Sequence, residues 1–106
     1  MMSVREYITQ KFQAFGISVS EADLLDIAFS SGLELEEDVV ADNYQKVAVA
    51  AVKFVPTLLL RAQSISENGF SMSWDLEALK TYYSCKCKEY GLIDEINTNK
   101  PKVTFL

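Results

Sequence analysis

Apolar residues recur every three or four positions through most of this chain, and the rhythm changes to strict alternation only in two short stretches. Val4, Ile8, Phe12 and Phe15 mark a first helix over about Val4 to Ala14. Ser3 and Glu6 form an S-x-x-E capping box at its start, and Gly16 followed by Ile17 supplies a glycine stop with its hydrophobic contact. A second helix is predicted from about Glu21 to Ser31, capped by Ser20, with Glu21 and Asp23 in its electropositive first turn and Gly32 as its stop. Leu24, Leu25, Ile27, Ala28 and Phe29 form a broad apolar side for it.

The most apolar stretch is Val47 to Leu60, VAVAAVKFVPTLLL, interrupted only by Lys53 and Thr57. A helix that is apolar on nearly every side has to be surrounded, so this one is read as central. It is too short, and carries a charge in its middle, to cross a bilayer. Pro56 lacks the N–H that would bond back to Val52, so the reading is either a helix kinked between Val52 and Pro56 or two helices with Pro56 opening the second. The acidic stretch ELEEDVVAD, Glu34 to Asp42, leads into it and places favourable charge at a helix start.

Beyond Arg61 the texture changes. Asn68-Gly69 signals a turn, and Phe70, Met72 and Trp74 alternate with Ser71 and Ser73, the period of a strand. Ser73 is then expected to cap a helix from about Trp74 to Tyr90, with Leu76, Leu79, Tyr83 and Tyr90 on its apolar face, Tyr82 beside them and Gly91 as the stop. In the tail, Val103 and Phe105 alternate with Thr104, which predicts a second short strand. A lone strand is unstable, so the tail should pair with the Phe70 to Trp74 segment or with another subunit. The expected architecture is one domain over residues 1–106, mainly α. Four to five helices surround a central apolar, Pro-kinked helix, with a short β element at about 65–74 and 102–106.

Composition narrows the function classes. With 106 residues and 49% hydrophobic content the chain can bury a core as a single domain. Its net charge of −5 argues against a nucleic-acid surface, which needs clustered Lys and Arg to displace counterions. The N-terminus has no basic region followed by an apolar run, so the expected location is cytoplasmic, with no membrane partner.

Chemistry is sparse. Without histidine the chain lacks the commonest general base and the commonest zinc ligand. Cys85 and Cys87 are two positions apart on a predicted helix, about 200° of rotation, so their thiols diverge and are expected to be plain reduced thiols. All four glycines fall at helix stops or turns instead of in a phosphate-cradling loop, and the acidic stretch has neither the ligand spacing nor the glycine of a calcium loop. A helix-turn-helix role for the first two helices would place Glu21, Asp23 and Asp26 against phosphates. Catalytic residues, cofactors and metals are therefore all expected to be none, and enzyme activity is not expected.

The order of features resembles the small head–tail connector (adaptor) proteins of long-tailed phages and prophages. Carrying the resemblance are the short capped helices, the acidic linker, the long apolar helix ending in Leu58 to Ala62, and then Ser66, Glu67, Gly69, Ser71, Ser73 and Trp74 before a final helix. The Cys-Lys-Cys helix and the tail from Pro101 to Leu106 have no place in that pattern. The resemblance implies a structural, non-enzymatic subunit that forms a homo-oligomeric ring between portal and tail-completion proteins. DNA would pass through such a ring without sequence-specific binding. Extended aromatic segments dock readily on neighbours, so Ile65, Phe70, Met72, Trp74, Val103 and Phe105 are the expected oligomer-interface residues. The alternative is a small cytoplasmic helical interaction module or regulator.

Overall fold

The computed structural model describes residues 2–67 and 74–94, and side chains 63–67 lie outside that description. Four helices are present among the described residues: α1 (Val4–Gln13), α2 (Glu21–Ser31), α3 (Tyr44–Glu67) and α4 (Leu76–Tyr90). The fold is a small all-α bundle in which α3 packs against each of the other three helices.

Both N-terminal helices carry the predicted punctuation. Ser3 and Glu6 exchange side-chain and backbone hydrogen bonds at 3.1 and 2.9 Å, and Ser20 and Asp23 make the same reciprocal box at 3.1 and 3.2 Å. Beyond α1, Gly16 adopts φ 77°, which lets the Ile17 N–H reach back to the Phe12 carbonyl while the Ile17 side chain enters the core.

The first turn of α1 also finds partners in the acidic loop. Val4 N–H donates to the Glu37 carbonyl at 2.8 Å and Arg5 N–H to the Leu35 carbonyl at 2.9 Å, while Val39 N–H donates to the Met2 carbonyl at 2.8 Å. Residues 34–40 thus run alongside the start of α1, and an isolated bridge joins Ser3 and Asp38. Buried Asn43 holds this loop onto the head of α3. Its side chain accepts from Val40 N–H at 2.8 Å and donates to the Asp38 carbonyl at 2.9 Å.

Several sequence expectations are corrected in α3. The helix runs unbroken across Pro56, which removes the two-helix alternative. It also continues through Ile65, Ser66 and Glu67, so an extended arm does not begin at residue 65. The reason is local: between Pro56 and Gly69 there is no glycine or proline, and Leu58 to Gln63 are mostly strong helix formers, enough to carry the serines along. Nor is the helix enclosed all round. Val47, Ala51, Val55, Leu58 and Ala62 form its buried stripe, while Lys53, Thr57 and Leu60 lie on the opposite, exposed side.

In α4 the cap is Asp75, whose carboxylate accepts from Ala78 N–H at 3.0 Å, so the helix begins at Leu76 instead of at Trp74 behind a Ser73 cap. Asp75 N–H in turn donates to the Phe15 carbonyl at 2.9 Å, tying the start of α4 to the end of α1. Leu79, Tyr83 and Cys87 are its buried residues, and Cys85 points outward, as the 200° separation requires. The expected strand at 102–106 and the alternating residues 70–73 lie outside the described residues.

Candidate functional site

Three surface features stand out once the core is assigned. The first is a ridge on α2. Leu25 and Phe29 are one helical turn apart and share a face, with 42% and 80% of their surfaces exposed. Their sequence neighbours Leu24, Ile27 and Ala28 are buried, so the broad apolar side expected of α2 divides into a core stripe and a ridge left in solvent. Asp26 lies exposed on the flank of the ridge nearer Asp23.

An ion pair accompanies this division. Asp23 is 4% exposed, and both its carboxylate oxygens accept from the Arg61 guanidinium, at 2.8 and 2.9 Å. The fork joins the first turn of α2 to the distal part of α3. Hydrogen bonding to Arg61 holds the Asp23 carboxyl below the usual range against the opposing effect of burial. The Arg61 guanidinium also stands 5.8 Å from the centre of the Phe54 ring.

The second feature is a groove between α3 and α4, about 470 Å³ in volume, lined by Lys53, Pro56, Tyr83, Cys87, Gly91, Leu92 and Ile93. Its C-terminal wall is built by a Gly91 stop, with φ 70° and a Leu92 N–H bond of 2.8 Å to the Cys87 carbonyl. The Tyr83 hydroxyl donates to the Ile93 carbonyl at 3.4 Å. The backbone of Ile93 is thereby held while its side chain stays 74% exposed.

The third is a tyrosine and lysine face formed by α1, the head of α3 and α4. Tyr7 meets Tyr44 edge-on at 6.0 Å, and Phe15 meets Tyr82 at 5.3 Å. Lys11 Nζ lies 5.5 Å from the Tyr7 ring centre and 5.7 Å from that of Tyr82, and Lys86 lies 5.8 Å from the Tyr90 ring centre. Burial pushes the hydroxyls of Tyr7 and Tyr82 well above the ordinary tyrosine range, and Tyr90 shifts the same way. These rings are neutral at physiological pH and offer hydroxyls and apolar edges to a partner.

Among the described residues no three His, Cys, Asp or Glu side chains converge as metal ligands, and no helix is long and apolar enough to cross a membrane. Of the six residues expected at an oligomer interface, Trp74 is half-buried against the hydrophobic core. The backbone of Ile65 belongs to the last part of α3, and its side chain lies outside the described residues, as do Phe70, Met72, Val103 and Phe105. Sequence reasoning missed the Asp23–Arg61 fork, Asn43, the ridge and the tyrosine face. For the tyrosines a signal existed: Tyr7, Tyr44, Tyr82 and Tyr90 all lie within four residues of a lysine.

Comparison with curated proteins and with solved structures finds no match. Residues 2–105 match the family of unknown function DUF6706, and the chain belongs to that family.

Proposed function

We propose that this chain is a structural, non-enzymatic subunit of a phage or prophage head–tail connector, assembling with copies of itself into a ring between portal and tail-completion proteins. The observation that carries the reading is the pair of unlike apolar surfaces on one small helical body. A ridge projects from α2, and a groove opens between α3 and α4. Closed rings use heterologous contacts, in which one patch of a subunit meets a different patch of the next, and a subunit of this kind needs two such surfaces. The order of capped helices, acidic linker and long apolar helix supports the same class. The net charge of −5 suits a channel wall along which DNA slides without adhering. Such a subunit folds in the cytoplasm and becomes part of the virion on assembly.

Electron microscopy of the purified chain, alone and mixed with a phage portal protein, tests the reading. Closed rings, free or seated on the portal, are the expected result. A chain that neither self-associates nor binds the portal overturns it. The second reading, a helical module that binds a cytoplasmic protein, is favoured by the tyrosine and lysine face, because tyrosine is enriched at interface cores. Gene neighbourhood separates the two: portal, capsid and tail genes on either side support the connector, and regulatory or metabolic neighbours support the module.

A further inference from the structure

We infer that the α2 ridge of one copy, Leu25 and Phe29, seats in the α3–α4 groove of the next copy, with Asp26 facing Lys53 across the rim. The inference rests on the reading of the chain as a self-assembling ring subunit and names the contact that would build the ring.

A phenylalanine that is 80% exposed, one turn from a leucine that is 42% exposed, is apolar surface that the fold of a single copy leaves in water. Burial of such a pair is favourable wherever a matching apolar recess exists. The α3–α4 groove is a recess of mixed character, with apolar walls from Pro56, Leu92 and Ile93 beside the Lys53 ammonium and the Tyr83 hydroxyl. Its floor is Pro56, Tyr83, Cys87 and Leu92, and Ile93 projects at its lip. A dry cavity of about 150 Å³ suffices to hold benzene. The groove is open on one side and about 470 Å³ in volume, so an aromatic ring can enter it from outside.

Position excludes closure within one chain. α3 lies between α2 and α4, packing on both, so ridge and groove belong to different sides of the same body and can meet only between copies. Charge then selects the pairing. Asp26 is exposed on the flank of the ridge nearer Asp23, where its charge also acts on Arg61 of the same copy, and Lys53 is exposed at the groove. Ridge against groove brings opposite charges together. Ridge against ridge would set the Asp26 carboxylates of two copies near each other, which disfavours a symmetric dimer through α2.

Sedimentation velocity from micromolar to millimolar concentration tests this with the full chain, Phe29→Asp, Ile93→Glu and the charge swap Asp26→Lys with Lys53→Glu. Both single variants alter exposed side chains, so their thermal unfolding should match that of the parent chain. Phe29→Asp and Ile93→Glu should each weaken self-association by roughly thirtyfold or more, the effect expected of a central aromatic anchor. An equimolar mixture of these two should form heterodimers and stop there, since each pair retains one intact ridge and one intact groove. The charge swap should associate more tightly than either of its component single variants. Association that survives both single variants overturns the contact and leaves the ring-subunit reading standing. Loss in Phe29→Asp with none in Ile93→Glu overturns the groove as the ridge's seat. A parent chain that stays monomeric throughout overturns the contact as a driver of self-association, and the ring-subunit reading falls with it when that chain also forms no ring on the portal.

Discussion

The two sides of α2 have nearly the same composition and opposite fates. Leu24 is 5% exposed and Leu25 42%; Ala28 is 3% exposed and Phe29 80%. Hydropathy cannot distinguish these neighbours, and size alone would place the phenylalanine, not the alanine, in the core. What decides is rotational phase. The Ser20–Asp23 capping box fixes where the helix starts, and burial of Leu24, Ile27 and Ala28, together with the two bonds from the Arg61 guanidinium to Asp23, keeps that side towards α3. A small residue at position 28 then lets the α2 and α3 backbones approach, and Phe29, about 100° further round, is left outside. Burial here follows helix geometry, with packing and polar anchors acting together.

The largest losses should come from truncating residues of the buried stripe. Leu24→Ala and Ile27→Ala should each cost about 2–5 kcal/mol, the range for large-to-small changes in a packed core. For a domain of this length each 1 kcal/mol lowers the melting temperature by roughly 4–8 °C. Urea titration followed by circular dichroism measures the loss. Leu25→Ala, one position away, should cost much less, and an equal cost for the two leucines would refute the assignment of sides.

How much of this was legible in the chain follows from the kind of interaction that fixes each part. Both capping boxes, the glycine stops after α1, α2 and α4, and the centrality of Val47 to Leu60 are local or strongly periodic, and the residues that determine them lie within one turn of the feature. The length of α3 was harder. Pro56 marks a break by its own chemistry, yet the helix continues because the residues after it favour helix and pack: Leu58 and Ala62 are 1% and 3% exposed. The Asp23–Arg61 fork joins residues separated by 38 positions, and its capping role hid its longer-range one. Asn43 likewise reads as a helix-start residue, whereas its side chain spends its bonds on the loop behind it. The split of α2 into core stripe and ridge follows from packing on α3 together with those long-range anchors, so periodicity alone merges the two sides.

Loss of the Asp23–Arg61 pair should have the next largest effect. Asp23→Asn keeps an acceptor for the cap but loses the charged fork, at a cost of roughly 1–2 kcal/mol, moderated because the Arg61 side chain is 46% exposed. Arg61→Ala should cost more, since it leaves the buried carboxylate without its cation. The pH dependence has a definite sign. The folded-state pKa of Asp23 lies below its unfolded value, so its contribution is fully present above about pH 4 and is lost as pH falls through the lowered folded value. Asp23→Asn should therefore flatten the acid limb of the stability profile. An unchanged acid limb would show that ionised Asp23 does not stabilise the fold through the fork.

The tyrosine face gives the opposite limb and a smaller effect. Tyr7 and Tyr82 titrate above their unfolded values because burial disfavours the phenolate. Their contribution is complete below about pH 10, the unfolded tyrosine value, and is lost as pH rises from there through the folded values. Tyr82→Phe should reduce the alkaline loss while leaving stability at neutral pH close to that of the parent chain. Tyrosinate absorbance followed alongside circular dichroism separates ionisation from unfolding. Ionisation of these hydroxyls at the ordinary value, with no loss of structure, would place the rings in solvent together with the ridge.

The smallest effect is the most discriminating for α2. Phe29→Ser removes the largest side chain of the helix, and in a core position such a change would cost several kcal/mol. On the ridge it should alter the stability of the isolated subunit by no more than about 0.5 kcal/mol, because the ring is already hydrated in the folded state and little apolar area returns to water on substitution. Denaturation at concentrations low enough to keep the chain monomeric isolates that term, and repetition at high concentration adds whatever self-association contributes. A parent chain whose unfolding midpoint rises with concentration, beside a Phe29→Ser variant whose midpoint does not, assigns the ridge to contacts between copies. A large loss already present in the dilute monomer would instead place Phe29 with Leu24 and Ile27 and erase the difference between the two sides.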